Sequence, residues 1–246
     1  MRLWLLILSV LLFPVSLAAD VSQQQYLSSP RYGFHLFDDF IGNNTSGNQI
    51  GKYGWSTSAT GTAATFNNGA GEGSRPGTVN LDTGTTATGR TEINLEIDGV
   101  ILGGGERYEA AIDITTLSDA TNEFDIRVGL CDVTSGADCT DGVYFWYNRN
   151  TSVNWIRSTA NGGTRTQTAS TNAVATGWVY LQFVVADDES SVEFFVNNVS
   201  IGSNTLNIPT TAATGLLFVI IKSAGTASRD FDIDYVTFYQ HNPTGR

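Results

Sequence analysis

Short runs with a period of two, broken by turn residues and never giving way to a helical period, confine this chain to β-sheet. Gly89–Gly99 (GRTEINLEIDG) alternates strictly, and Tyr108, Ala110, Ile112 and Ile114 share one face of the next run. On a strand, side chains two apart point the same way, so such a run has one core face and one solvent face. Further strand signals are read at Phe34–Phe40, Ala64–Phe66, Gly77–Leu81, Phe124–Leu130, Val143–Asn148, Val153–Ser158, Thr164–Thr168, Val192–Val196, Val199–Ile201, Gly215–Ser223 and Phe231–Tyr239. Trp178–Ala186 (WVYLQFVVA) is apolar on both faces, which predicts a central strand with Trp178 in the core. Trp55 is assigned to the core as well. Turn chemistry punctuates the runs at Asn68-Gly69, Arg75-Pro76, Asn161-Gly162-Gly163 and Asp187-Asp188-Glu189. Asn197-Asn198 predicts a tight hairpin. Turns recurring at these intervals predict an all-β, antiparallel two-sheet sandwich without internal repeats.

The N-terminus carries a different signal. Arg2 precedes an apolar run from Leu3 to Phe13, interrupted only by Ser9, and Pro14 ends it. The run is short for a bilayer span, and Ser16-Leu17-Ala18 supplies small residues for a cut after Ala18. The expected organisation is therefore a signal peptide over residues 1–18, a polar lead-in over 19–33, one β-sandwich domain over 34–240 and a tail over 241–246. No membrane span is expected after cleavage, and the localisation implied is secreted, extracellular or periplasmic. The chain has 24 acidic and 13 basic residues, a net charge of −11. Such a charge repels a phosphate backbone, which argues against a nucleic-acid partner. Two cysteines, Cys131 and Cys139, flank the turn-rich segment DVTSGAD. In an oxidising compartment they read as a disulfide pinning a hairpin loop, with a chain-entropy gain of about 2.5 kcal/mol.

Several stretches together carry a resemblance. They are Phe37-Asp38-Asp39-Phe40, Thr85-Thr86-Ala87-Thr88-Gly89-Arg90, Asn154-Trp155 with the Asn161-Gly162 turn, Gly177-Trp178, Val192–Asn198 and Asp232-Ile233-Asp234-Tyr235-Val236. Their order resembles the concanavalin A-like lectin/glucanase jelly roll, the LamG-like sandwich. It is similar above all to copies of that domain in bacteriophage tail and capsid appendage proteins. The resemblance covers Phe34 to Gln240 and implies a jelly-roll sandwich; function has to be argued from sites.

Glu92-Ile93-Asn94-Leu95-Glu96-Ile97-Asp98 places Glu92, Asn94, Glu96 and Asp98 on one strand face. The resemblance to laminarinase-like hydrolases implies a Glu-x-Asp-x-Glu strand with one Glu as nucleophile and the other as acid/base. Here the central position is Asn94. Arg90-Thr91-Glu92 is similar to the start of a catalytic strand in alginate lyases, which also need Gln-x-His. The two histidines, His35 and His241, form no such motif. Tyr144, Trp146 and Asn148 alternate onto one face, and Trp155 and Arg157 share a face of the next strand; together they are a candidate glycan-binding cluster. Trp146 and Trp155 read equally as core residues. Asp132, Asp138 and Asp141 are the candidate ligands for a structural calcium; no cofactor is required by any motif. Asn43, Asn44, Asn150 and Asn198 begin Asn-x-Ser/Thr sequons. The function expected is a non-catalytic module binding a glycan or cell surface, or a structural part of an extracellular or virion appendage. The alternative is a polysaccharide-cleaving enzyme using Glu92 and Glu96.

Overall fold

The computed structural model describes residues 33–41, 50–72 and 75–241; of residues 68–72, 76, 96, 97 and 241 only the backbone is described. The expected leader and the sequons at Asn43 and Asn44 lie outside the described residues. Fifteen strands form two antiparallel sheets with no helix among the described residues. An eight-stranded sheet runs in the order β13 (Val199–Asn204), β12 (Val192–Val196), β11 (Gly177–Val185), β6 (Arg107–Ile114), β15 (Asp230–His241), β4 (Arg75–Asp82) and β3 (Thr65–Glu72). Its eighth strand, β1 (Gly33–Asp38), pairs with the far half of β15. A seven-stranded sheet runs β10 (Thr164–Ala173), β9 (Ser152–Asn161), β8 (Gly142–Asn148), β7 (Phe124–Cys131), β14 (Thr214–Lys222), β5 (Arg90–Val100) and β2 (Ser56–Thr60). This is the all-β, antiparallel two-sheet sandwich that the alternation predicts.

One core lies between the sheets. Ile93, Phe218, Val128 and Phe145 face it from the seven-stranded sheet, and Ile112, Phe183, Phe194 and Phe231 from the other; all are fully buried. Phe145 meets Phe194 edge-on across the gap at 5.2 Å, and Tyr108 stacks on Phe183 at 4.9 Å. Each such ring contributes roughly 1.5–3 kcal/mol by leaving water. Trp55 is in this core as expected, its indole Nε1 donating to Asp38 Oδ2 at 3.0 Å. The Asn197-Asn198 hairpin is also as read: both residues have positive φ, 51° and 63°, which a type I′ turn demands.

Three local readings are corrected and one unread strand is added. Asn68-Gly69 does not turn; it continues β3, with Asn68 opposite Val79 and Gly69 opposite Thr78, because a full ladder with β4 outweighs a local turn preference. Arg75-Pro76 likewise belongs to β4. Ser56–Thr60, which has no apolar alternation, is an edge strand paired with β5. Trp178 is not a core residue. It sits opposite Asp113 on the outer face of the eight-stranded sheet and is half-buried, because β11 alternates its faces like its neighbours.

Candidate functional site

The register of the seven-stranded sheet aligns its outward side chains in rows. One row reads Ser58, Glu92, Val219, Arg127, Trp146, Ile156; the next reads Ser56, Asn94, Leu217, Gly129, Tyr144, Ser158. The middle of this face is not open. Cys131 and Cys139 are joined (Cα–Cα 5.4 Å), and the loop between them folds back over the sheet. Cys131, Cys139, Tyr144, Trp146, Ile156, Leu217 and Val219 make a second apolar cluster beneath it. The predicted disulfide is therefore present, with a larger task than closing a hairpin.

Arg127 holds the loop down. It lies on β7 between Ile126 and Val128 and is buried. Its guanidinium donates to the Gly136 and Ala137 carbonyls (3.0 and 2.8 Å) and pairs with Asp138 (2.7 Å) and Asp125 (3.1 Å). Asp125 also accepts from Trp146 Nε1 at 3.4 Å. Burial raises the Asp125 pKa, and the Arg127 charge pulls it back. From β10, Arg165 adds a bond to the Cys139 carbonyl at 3.0 Å. Gly136 lets the loop come this close: its φ is +76°, and a Cβ there would sit 2.7 Å from Arg90 Cδ.

Beside the loop, at the β2–β5 edge, an open groove of about 650 Å³ remains. Ser56, Thr57 and Ser58 line one side, Arg90, Glu92, Asn94 and Asp98 the floor, and Thr134 and Ser135 of the loop the other side. Arg90 bridges these walls. It donates to the Ser135 carbonyl and to Ser58 Oγ (3.2 Å), and its Nε lies 3.7 Å from Glu92 Oε2. Glu92 is 1% exposed. Its Oε2 has no hydrogen-bond partner among the described residues. Burial, partly offset by Arg90, lifts its pKa to about 7. Chemically the groove offers hydroxyls, an amide, carboxylates and one guanidinium.

The structure brings Glu92, Asn94 and Asp98 to one groove, as alternation predicts. The Glu96 side chain lies outside the described residues, in a stretch where β5 pairing with β14 shifts between Leu95 and Val100. The proposed glycan cluster is not brought together. Tyr144 and Trp146 face outward but are roofed by the loop, at 1% and 9% exposure. Asn148 is half-buried and accepts at Oδ1 from Thr151 N. Trp155 points the other way, into the core against Phe145 and Tyr147. Arg157 shares that inward side and donates toward the Ser203 carbonyl at 3.4 Å. Alternation on each strand was sound, but β8 and β9 pair Trp146 with Ile156, which puts Trp155 on the opposite face.

The three aspartates do not converge. Asp132 Oδ1 accepts from Thr140 N and Asp141 N, Asp141 Oδ1 from Gly162 N, and Asp138 pairs with Arg127. Among the described residues no three His, Cys, Asp or Glu side chains gather as a metal site. Sequence reasoning missed Ser56, Ser58, Thr134 and Ser135, because the first pair lacks strand patterning and the second lies in a loop. Arg127 carried a readable signal: a charged residue between Ile126 and Val128, with Asp125 and Asp138 nearby in sequence.

Comparison with known proteins agrees with this architecture. Residues 74–234 match the family described as SO2946-like, C-terminal domain. The fold is similar to a protein of unknown function, SO2946, from Shewanella oneidensis MR-1, with TM-score 0.63 and 16% identity, covering 98% of this chain and 99% of that one. It is similar to the carbohydrate recognition domain of Emp47p (TM-score 0.56, 11% identity, 87% and 97% covered). It is also similar to a Bacillus licheniformis β-glucanase (TM-score 0.51, 12% identity, 83% and 97% covered). No curated protein matches the chain significantly in sequence. No helix of the described residues is long and apolar enough to cross a membrane.

Proposed function

The chain belongs to the SO2946-like C-terminal domain family, and we propose that it is a secreted, non-catalytic module that binds a glycan in the groove between β2, β5 and the disulfide loop. The observation that carries this reading is the groove itself. Its lining of Ser56, Ser58, Asn94, Asp98 and Arg90 offers donors and acceptors at the spacing of neighbouring strands, which suits a ligand rich in hydroxyls. The similarity to a carbohydrate recognition domain supports the same class of ligand. The Cys131–Cys139 disulfide supports an oxidising compartment, and with it an extracellular surface or appendage as the place of action.

Affinity electrophoresis through gels containing laminarin, xyloglucan, galactomannan or hydroxyethylcellulose tests it. Wild-type protein is expected to be retarded by at least one polymer. Asn94→Ala should weaken that retardation about tenfold, as loss of a hydrogen-bonding group in a built site does. Retardation by no polymer, or the same retardation for Asn94→Ala and Ser58→Ala, overturns the reading. One observation favours a second reading: a carboxyl with a pKa near 7, buried in the floor of a groove, is suited to proton donation in glycoside hydrolysis. Reducing-sugar release on the same polymers decides it. Turnover that vanishes in Glu92→Gln makes the protein an enzyme; no turnover in the wild type leaves the binding module.

A further inference from the structure

The outer face of the eight-stranded sheet, on the opposite side of the sandwich from the groove, carries a row of aromatic rings with no segment over it among the described residues. Phe37 on β1 lies 6.1 Å from Tyr235 on β15, and Tyr235 lies 6.5 Å from Tyr180 on β11. The row continues through Arg75, whose guanidinium stacks 3.9 Å from the ring of Trp178. Between β15 and β11 runs β6, with Ala111 opposite both tyrosines. Its small side chain lets the two rings close over it, and it is fully buried. Phe37 is 47% exposed, and Tyr180, Tyr235 and Trp178 are half-buried.

The rings are fixed by their edges. Tyr235 donates its hydroxyl to Glu109, Gln182 donates to the same carboxylate, and Arg75 donates to Tyr180 Oη at 3.2 Å while pairing with Asp234. With the hydroxyls held by protein and Arg75 against one face of Trp178 and over Tyr180, the ring faces left by Arg75 are what a ligand can meet, and little order has to be gained on binding. Alongside the row, Glu109, Gln182, Thr237, Phe195 and Tyr239 frame a hollow of about 350 Å³. Arg107 borders it, exposed and without a hydrogen-bond or ion-pair partner among the described residues.

We propose that this face is a second carbohydrate-binding site, taking an extended neutral polysaccharide that crosses the strands along Phe37, Tyr235 and Tyr180, with Trp178 two residues from Tyr180 on β11 at its end. Rings in a row suit the repeating apolar faces of a sugar chain, whereas a small organic cation is met by rings closed around a point. Glu109, Asp113, Glu193, Asp232 and Asp234 on the same sheet face outnumber Arg75 and Arg107, which disfavours an acidic polymer. The same acidity disfavours a second copy of this chain, since a twofold contact would set like charges against each other.

The polymer gels that test the groove also test this site, through different variants. Phe37→Ala and Tyr180→Ala should each weaken retardation by at least one polymer about tenfold, while Tyr180→Phe and Asn94→Ala keep it on that polymer. Unchanged melting temperatures confirm that the variants fold. If no polymer shows loss in both aromatic variants, the inference is overturned, even where Asn94→Ala shows that the groove binds. Loss in the aromatic variants alone keeps this site and overturns the groove. Sedimentation showing a wild-type dimer that Tyr180→Ala dissociates would assign the face to a second copy and overturn the inference as well.

Discussion

The two outer faces of the sandwich carry similar side chains and treat them in opposite ways. On the seven-stranded sheet, Tyr144 and Trp146 are 1% and 9% exposed beneath the disulfide loop. On the eight-stranded sheet, Phe37 is 47% exposed, and Tyr180 and Tyr235 are half-buried. The difference comes from one segment: residues 132–138 roof the first sheet, and no described segment roofs the second. What a roof costs is also visible. It needs the buried Arg127, two carboxylates, a disulfide and a glycine in the left-handed region. The groove is the strip that this roof leaves uncovered, so its shape depends on the loop. The aromatic row depends only on the sheet beneath it.

The contrast breaks most severely at Arg127. Arg127→Ala leaves Asp125 buried without its counter-charge and frees the Gly136 and Ala137 carbonyls. A loss of about 4 kcal/mol in urea-induced unfolding is expected, as for a buried ion pair cut on one side. Trp146 fluorescence in the variant should become quenchable by iodide. A loss below about 1 kcal/mol would show that the roof is held by something else.

Glu92 gives the next effect, and its sign is fixed by its raised pKa. The native state holds this proton more tightly than the unfolded chain, whose carboxyl titrates near 4.5. The cost of ionising it is absent below that pH, grows up to about 7 and is complete above. From pH 4.5 to pH 8, the wild type should therefore lose about 3 kcal/mol that Glu92→Gln does not lose. Thermal melts of the two proteins across that range, compared pair by pair, measure it. Parallel curves would show that Glu92 reaches water more freely than its burial suggests. The double change Cys131→Ser with Cys139→Ser ranks third, with about 2.5 kcal/mol lost by the loop-closure argument. It should weaken polymer binding in the groove, whose wall includes Thr134 and Ser135, and leave binding on the aromatic row unchanged.

These expectations rest on features that the sequence exposed unequally. Period-two alternation located β5 and β6 and put Glu92 and Asn94 on one outward face, because a strand states its two faces in its own residues. Pairing register is not written in one strand. Tyr144 with Trp146, and Trp155 with Arg157, each share a face of their own strand, yet the Trp146–Ile156 register puts the two pairs on opposite sides of the sheet. Coverage is less legible still. Nothing in the run VYFWYN says that a loop closed by Cys131 and Cys139 will lie over its outward rings. Trp178 shows the converse, an apolar residue in an apolar run that stays on the outside because its face of the sheet has no roof. Edge strand β2 escaped because Ser, Thr and Ala carry no apolar period, and its order comes from pairing with β5.

The smallest effect on stability is expected at a residue whose loss should weaken polymer binding about tenfold. Phe37 lies on β1, which pairs with β15 on one side only, and about half its surface already meets water. Its ring touches Tyr235 at a tilted 36°, and its loss opens no cavity in the core. Phe37→Ala should therefore move stability by only about 0.5 kcal/mol, the range of surface changes. Tyr144→Ala on the roofed face, which empties a fully buried site, should cost about 4 kcal/mol. The same chemical change at two outward-facing aromatics would then differ about eightfold in energy, with only the cheaper one affecting polymer retardation. A Phe37→Ala loss comparable to that of Tyr144→Ala would mean that the ring is covered in solution. The two faces would then differ in what covers them, and the row could not bind a polysaccharide.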